Sequence, residues 1–193
     1  MNALLQVIGA LPWVLLVALI AWAISSWRRN AGLVDIFWSL FVVTAATWYY
    51  LGSDEPTPRA QLVLALAFLW ALRLAAHLTQ RNWNAPEDHR YQAIRARNEP
   101  GFQWKSLYLV FGLQAVLALV VATSLQAAIA APQPWNLQLL DYVGAALVLC
   151  GVLIESIADA QLAAFRSNST NSGRVLDGGL WRYTRHPNYF GEF

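Results

Sequence analysis

The densest gathering of chemically capable side chains runs from Trp181 to Glu192, where Arg182, Tyr183, Arg185, His186, Asn188, Tyr189 and Glu192 fall within twelve residues. Arginine supplies forked donors for phosphate, histidine and asparagine can fix a ring or a ribose, and a carboxylate accepts from ribose hydroxyls or a carboxamide. Such a mixture suits an anionic nucleotide. Pro187 removes one backbone donor and steers His186 towards extended geometry, so the cluster is expected to cap the start of a further helix. A headgroup-binding loop at the membrane surface draws on the same residue types and is the competing reading.

Two further constellations have helical spacing. Glu155, Asp159, Leu162 and Arg166 follow a four, three, four pattern that aligns them along one stripe. The stripe leads into the Asn-, Ser- and Gly-rich run from Ser167 to Gly173 and then to Arg174, which favours a site over an exposed juxtamembrane surface. Upstream, Arg73 and His77 sit four apart, hence on one face, and a central Arg in a membrane helix costs about 2.5 to 3.5 kcal/mol. An internal ion pair with Asp35 or a polar substrate or cofactor pocket would compensate. Glu87, Asp88, Arg90 and Tyr91 read as solvated rather than as part of a site.

The elements that carry these residues are membrane spans. Hydrophobic residues make up 58% of the 193-residue chain and charged residues only 12%, against about 25% in a soluble domain. The fold class is therefore an all-α, polytopic transmembrane helical bundle. Five segments reach the roughly 20 apolar residues that a bilayer crossing needs: about 4 to 24, 34 to 51, 60 to 79, 107 to 131 and 139 to 165. The fifth is too long for one crossing, so from about Glu155 it should emerge from the lipid or line a polar cavity. Residues 81 to 103 give only a weak signal.

Basic residues set the expected orientation, because short cytoplasmic loops retain Arg and Lys. Arg28 and Arg29 follow the first span, Arg81, Arg90, Arg95, Arg97 and Lys105 the third, and Arg166, Arg174, Arg182 and Arg185 the fifth; Arg59 alone falls on the other side. The amino terminus is expected outside and the segment 155 to 193 in the cytoplasm, within a single integral membrane domain 1 to 193. Trp13, Trp27, Trp48, Trp104 and Trp135 lie near span ends as belt residues. The net charge of +2 is too small for nucleic-acid binding, and the single cysteine, Cys150, allows no internal disulfide. No metal site is expected. The first span, followed by Trp27, Arg28 and Arg29, reads as a retained helix rather than a cleaved leader.

The run Gly179-Leu180-Trp181-Arg182-Tyr183-Thr184-Arg185-His186-Pro187-Asn188-Tyr189-Phe190-Gly191-Glu192 resembles the signature of the steroid 5-alpha-reductase carboxy-terminal superfamily. Val34-Asp35-Ile36-Phe37-Trp38-Ser39, Glu87-Asp88-His89-Arg90-Tyr91 and Lys105-Ser106-Leu107-Tyr108-Leu109-Val110-Phe111-Gly112 look like its bacterial DUF1295 branch, in the same order. The resemblance spans nearly the whole chain. It implies an inner-membrane reductase in which Asp159, Arg166, Arg174, Asn188 and Glu192 hold NADPH, with Arg185 near phosphates and His186 and Tyr189 beside them. The implied reaction is hydride transfer to an electron-poor double bond of a hydrophobic substrate lying among the helices and membrane lipids. Asp35, Arg73 and His77 are the candidates around that substrate.

The pattern departs from the steroid reductases in two places. Where they use a Glu early in the second helix and a Tyr in the third, this chain offers Asp35 and Trp70, so the resemblance does not carry steroid specificity. Family members also continue past the signature with further helices, and the chain is expected to be carboxy-terminally truncated, with an incomplete cofactor pocket. Two rivals stand beside the reductase. Isoprenylcysteine carboxyl methyltransferases carry a similar Arg-His-Pro-x-Tyr-x-Gly run and bind S-adenosylmethionine, but lack the series matching Asp159, Arg166 and Arg174. The other rival is a non-catalytic membrane or lipid-binding protein.

Overall fold

The computed structural model describes residues 3–53, 55–130 and 136–190, and of residue 190 the backbone only. Among them every long element is a helix. Five stretches are long and apolar enough to cross a membrane, Ala3–Arg28, Ala31–Leu51, Pro58–Asn82, Phe102–Ala130 and Leu139–Ser167, so the expected all-α fold and its five spans are observed. They fit an integral membrane protein. The chain divides into two compact units, Met1–Asn136 and Leu137–Phe193.

In the first unit, α1 (Ala3–Arg28) buries Gln6, Ala10, Val14, Ala18, Ala21 and Ser25. These recur every three or four residues, so one stripe of mostly small side chains lets neighbouring helices approach closely. The opposite flank keeps Leu15, Leu16, Leu19 and Ile20 exposed, as a lipid-facing surface does. α2 (Val34–Leu51) is the hub. It packs against α1, against α3 (Pro58–Asn82) and against α6 (Leu113–Ala130), with Phe41, Ala45, Ala46 and Tyr49 fully buried.

Two hydrogen bonds lock this packing where water cannot compete. Ser39 Oγ donates to the Ala71 carbonyl at 2.9 Å, joining α2 to α3. Gln126 Nε2 on α6 donates to Gln6 Oε1 on α1 at 2.9 Å, and both amides are buried.

The stretch with little sequence signal is ordered as α4 (His89–Asn98) and α5 (Phe102–Ser106). Asp88 caps α4, its carboxylate accepting from Arg90 N at 2.9 Å. Between α5 and α6 the backbone takes a π turn over Leu107–Gly112, so the fourth span is one continuous helical rod with a widened first third rather than a regular helix starting at Leu107. Arg28 donates to the Trp83 carbonyl at 2.6 Å and Trp22 Nε1 to the Gln103 carbonyl at 2.9 Å. The end of α1, the end of α3 and the start of the fourth span therefore share one end of this unit, and most of its basic residues with them.

Belt tryptophans are only partly as expected. Trp27 and Trp104 are 77% and 67% exposed, whereas Trp48 packs inward against the core and Trp13. Trp135 lies outside the described residues.

In the second unit, α7 (Leu139–Ser167) opens with a capping box in which Gln138 and Asp141 satisfy each other's backbone. Its 29 residues rise about 44 Å, more than the roughly 30 Å of a hydrocarbon layer. The last part of α7 bears Glu155, Asp159 and Arg166. Short 3-10 turns at Ser169–Asn171 and Gly179–Arg182 follow, and then α8 (Pro187–Phe190). Pro187 opens that helix, as its missing N–H and fixed φ favour.

Candidate functional site

The second unit folds its own loop back over the end of α7. Trp181 Nε1 donates to the Ala158 carbonyl at 3.0 Å, and Gln161 Oε1 accepts from Leu180 N at 3.0 Å. Between these anchors the backbone passes so close that a Cβ on Gly179 would fall 2.5 to 2.6 Å from the Gln161 amide, and Gly179 has φ of 60°. Only glycine meets both demands. Asn188 Nδ2 donates to Asp159 Oδ1 at 3.2 Å, so the start of α8 is tied to the same turn of α7.

Glu155 and Asp159 are 3% and 6% exposed. An exposed juxtamembrane face is therefore excluded for this pair, while Arg166 at the far end of the stripe is exposed. The fold-back lines an open cavity of about 1120 Å³, with Leu162, Phe165 and Trp181 and the exposed Arg166, Arg174, Arg185 and His186 on its wall. Asn168, Ser169, Asn171, Ser172 and Gly173 of the polar run line it too. The guanidinium groups of these three arginines make no hydrogen bond or ion pair among the described residues, and one carboxylate, Asp177, lines the cavity with them.

Of the residues expected from sequence to hold a cofactor, the structure gathers Arg166, Arg174, Arg185 and His186 at the cavity wall, and joins Asp159 to Asn188, which do not line it. Tyr189 stands against the His186 ring, centroids 5.5 Å apart. Glu192 lies outside the described residues. Gln161 and Trp181, which shape the cavity without carrying charge, were not singled out; nothing in their type or spacing marks them before the fold-back is known.

A second polar cluster stands at the basic end of the first unit. Glu87 accepts from the Ala31 backbone N–H at 2.6 Å and takes both Arg95 donors, at 2.7 and 2.9 Å. The Arg95 guanidinium also lies 4.6 Å over the Phe102 ring. Tyr91 donates its hydroxyl to Asp35 Oδ1 at 2.6 Å, and Arg90 approaches Oδ2 at 3.5 Å. Gly32 leaves room for the Tyr91 ring, since a Cβ there would sit 3.2 Å from it.

Asp35 is thus engaged from α4 and not by Arg73, and the reading of Glu87, Asp88, Arg90 and Tyr91 as solvated holds for Asp88 and Arg90, whose side chains are 39% and 63% exposed, but gives way for Glu87 and Tyr91, which pin α4 onto the α1–α2 turn. Burial, and then the hydrogen bond to Asp35, push the Tyr91 phenol well above its ordinary range, so it remains a donor at any physiological pH. Arg73 and His77 are both half-buried on α3.

Comparison with known proteins decides the lineage. The model of DUF1295, described as a protein of unknown function, matches residues 21–193. This chain belongs to the DUF1295 family. An uncharacterized protein of Schizosaccharomyces pombe is 22% identical over 197 residues, covering 90% of the present chain. The chain spans 57% of that relative's length. No solved structure matches. In this DUF1295 protein the match takes in both the buttress around Glu87 and Tyr91 and the described part of the cavity-forming segment.

Proposed function

We propose that this DUF1295 protein is a membrane-embedded, NADPH-dependent reductase of a C=C bond conjugated to a carbonyl in a hydrophobic, lipid- or steroid-like substrate. The observation that carries the reading is the cavity of about 1120 Å³ with three arginines on its wall and one carboxylate. Drug-sized ligands fill about 300 to 1,000 Å³, so the cavity is on the scale of a dinucleotide, and its surplus of forked donors matches several phosphate oxygens. The resemblance of the segment Gly179 to Glu192 to the steroid 5-alpha-reductase superfamily supports the same cofactor.

The residues divide by chemistry. Arg166, Arg174 and Arg185 neutralise phosphate, Trp181 and Phe165 offer aromatic faces, and Asp159 holds Asn188 so that its remaining amide oxygen stays oriented. NADPH, when bound, supplies the hydride. Asp35, Arg73 and His77 remain the candidates for the substrate's surroundings, and the cytoplasm is the compartment in which the cofactor would be met.

S-adenosylmethionine is the alternative ligand, on the strength of the Arg185-His186-Pro187-Asn188-Tyr189 run alone. It carries a sulfonium cation and no phosphate, so three free guanidinium groups would oppose rather than favour it. Titration of the purified, detergent-solubilised protein with each ligand separates the readings. Saturable NADPH binding is expected; binding of S-adenosylmethionine in its place would mark a methyltransferase, and binding of neither a protein without this chemistry.

A further inference from the structure

The first unit holds a second, smaller pocket, apart from the cavity already described. It lies at the basic end, lined by Ser25, Ser26, Arg29, Arg95, Gln103 and Ser106 together with Ala31 and Phe102; the Glu87 carboxylate that holds Arg95 and the Ala31 N–H is not part of the lining. Its volume of about 40 Å³ holds roughly three waters, enough for the oxygens of one phosphate group and far too little for a nucleotide. Arg95 is held in place by Glu87 and the Phe102 ring. The side chains of Arg29, Ser26 and Gln103 make no hydrogen bond among the described residues, so the pocket presents open donors and the charge of Arg29 beside an Arg95 already paired with Glu87.

Arg29 is also the one described non-glycine residue with positive φ, at 53°. It ends α1 in the left-handed conformation that helix termini normally give to Gly or Asn. An arginine kept there at a conformational cost invites a reason in the side chain. The surroundings indicate the medium that the ligand comes from: Trp27 and Trp104, next in sequence to the lining Ser26 and Gln103, are exposed, the Trp104 ring lies tilted 5.1 Å from Trp22, and the flank of α1 with Leu16, Leu19 and Ile20 is apolar and exposed. Exposed indoles at a span end mark headgroup depth.

We infer that this pocket seats the phosphate of an anionic membrane phospholipid, with Arg29 and Arg95 on the phosphate and the acyl chains along the exposed flank of α1. A free anion would use the donors but gain nothing from the apolar flank and the indoles.

Native mass spectrometry of the whole detergent-solubilised protein, loaded in turn with phosphatidylglycerol and phosphatidylcholine, tests this. The unaltered protein should retain phosphatidylglycerol selectively, and Arg29→Gly should cut that retention roughly fivefold, the loss of one headgroup cation. Because glycine accepts the φ of Arg29, the melting temperature of this variant should hold or rise, which separates lost binding from lost folding. Arg97→Gln, an exposed cation outside the pocket, should leave retention unchanged, and Arg29→Lys should restore part of it. Equal retention of phosphatidylcholine, an equal loss in Arg97→Gln, no loss in Arg29→Gly, or displacement of the lipid by millimolar inorganic phosphate would overturn the assignment.

Discussion

Asn188 hands one amide hydrogen to the buried Asp159 carboxylate at 3.2 Å across 29 residues of sequence. That bond is what brings the end of the fold-back to the turn of α7 from which the cavity grows. Asn188→Ala removes a donor from a buried carboxylate, and such losses cost about 1 to 3 kcal/mol. Thermal unfolding should show the destabilisation, and NADPH binding should weaken with it. Asn188→Asp should be worse than Ala, because it sets two carboxylates against each other. A variant series with unchanged melting and unchanged binding would make the contact incidental.

Gly179 permits a close passage that no other residue allows. Gly179→Ala carries two penalties, the left-handed φ and the collision with Gln161, and about 1 to 3 kcal/mol is expected from them together. Adding Gln161→Ala should recover the steric part and leave the conformational part, since the φ demand is untouched. Denaturant melts of the three variants measure both. Full recovery in the double variant would mean that the backbone strain is absent.

Glu87 is 10% exposed at its side chain and satisfies both the Ala31 amide and the Arg95 guanidinium. Glu87→Ala leaves a backbone donor and a partly buried cation uncompensated, for an expected loss of about 2 to 4 kcal/mol. Glu87→Gln should cost less, because it can still accept from Ala31. Melting temperature in detergent reads out the order, and equal losses for the two variants would contradict the geometry.

Acid should fray α4 at its start. The hydrogen bond from the Arg90 side chain, and then that from its backbone N–H, hold the Asp88 carboxyl below the usual carboxylate range. A lowered folded value means that the contribution is fully present above about pH 4, the ordinary value for Asp, and is lost as pH falls through the lower folded one. Amide exchange at Arg90 and Tyr91 should therefore accelerate in strong acid beyond its intrinsic trend. Asp88→Asn keeps a capping oxygen and should remove that extra pH dependence.

The spans were legible because lipid imposes one demand, an apolar helix of about 20 residues, that shows directly in composition. The three arginines of the cavity were legible too, since charge stands out after an apolar run. What stayed hidden was reciprocal: Glu87 and Arg95 resemble solvated charges until the Ala31 turn supplies a donor, and Tyr91 meets Asp35 only through an α4 whose course the sequence leaves weak. Gln161 and Trp181 carry no charge signal at all. The π turn at Leu107–Gly112 lies inside a hydrophobic run whose pattern does not distinguish it from regular helix.

The central claim is that Arg166, Arg174 and Arg185 hold the phosphates of a dinucleotide. Its most direct test is the NADPH dissociation constant of the purified protein and of its three single Arg→Ala variants, measured by titration at fixed salt. Loss of a charge-assisted contact, about 1.5 to 3 kcal/mol, should weaken binding roughly tenfold to hundredfold in each variant while melting temperatures stay close to that of the unaltered protein. Affinity for NADPH that is indifferent to all three substitutions would contradict the account.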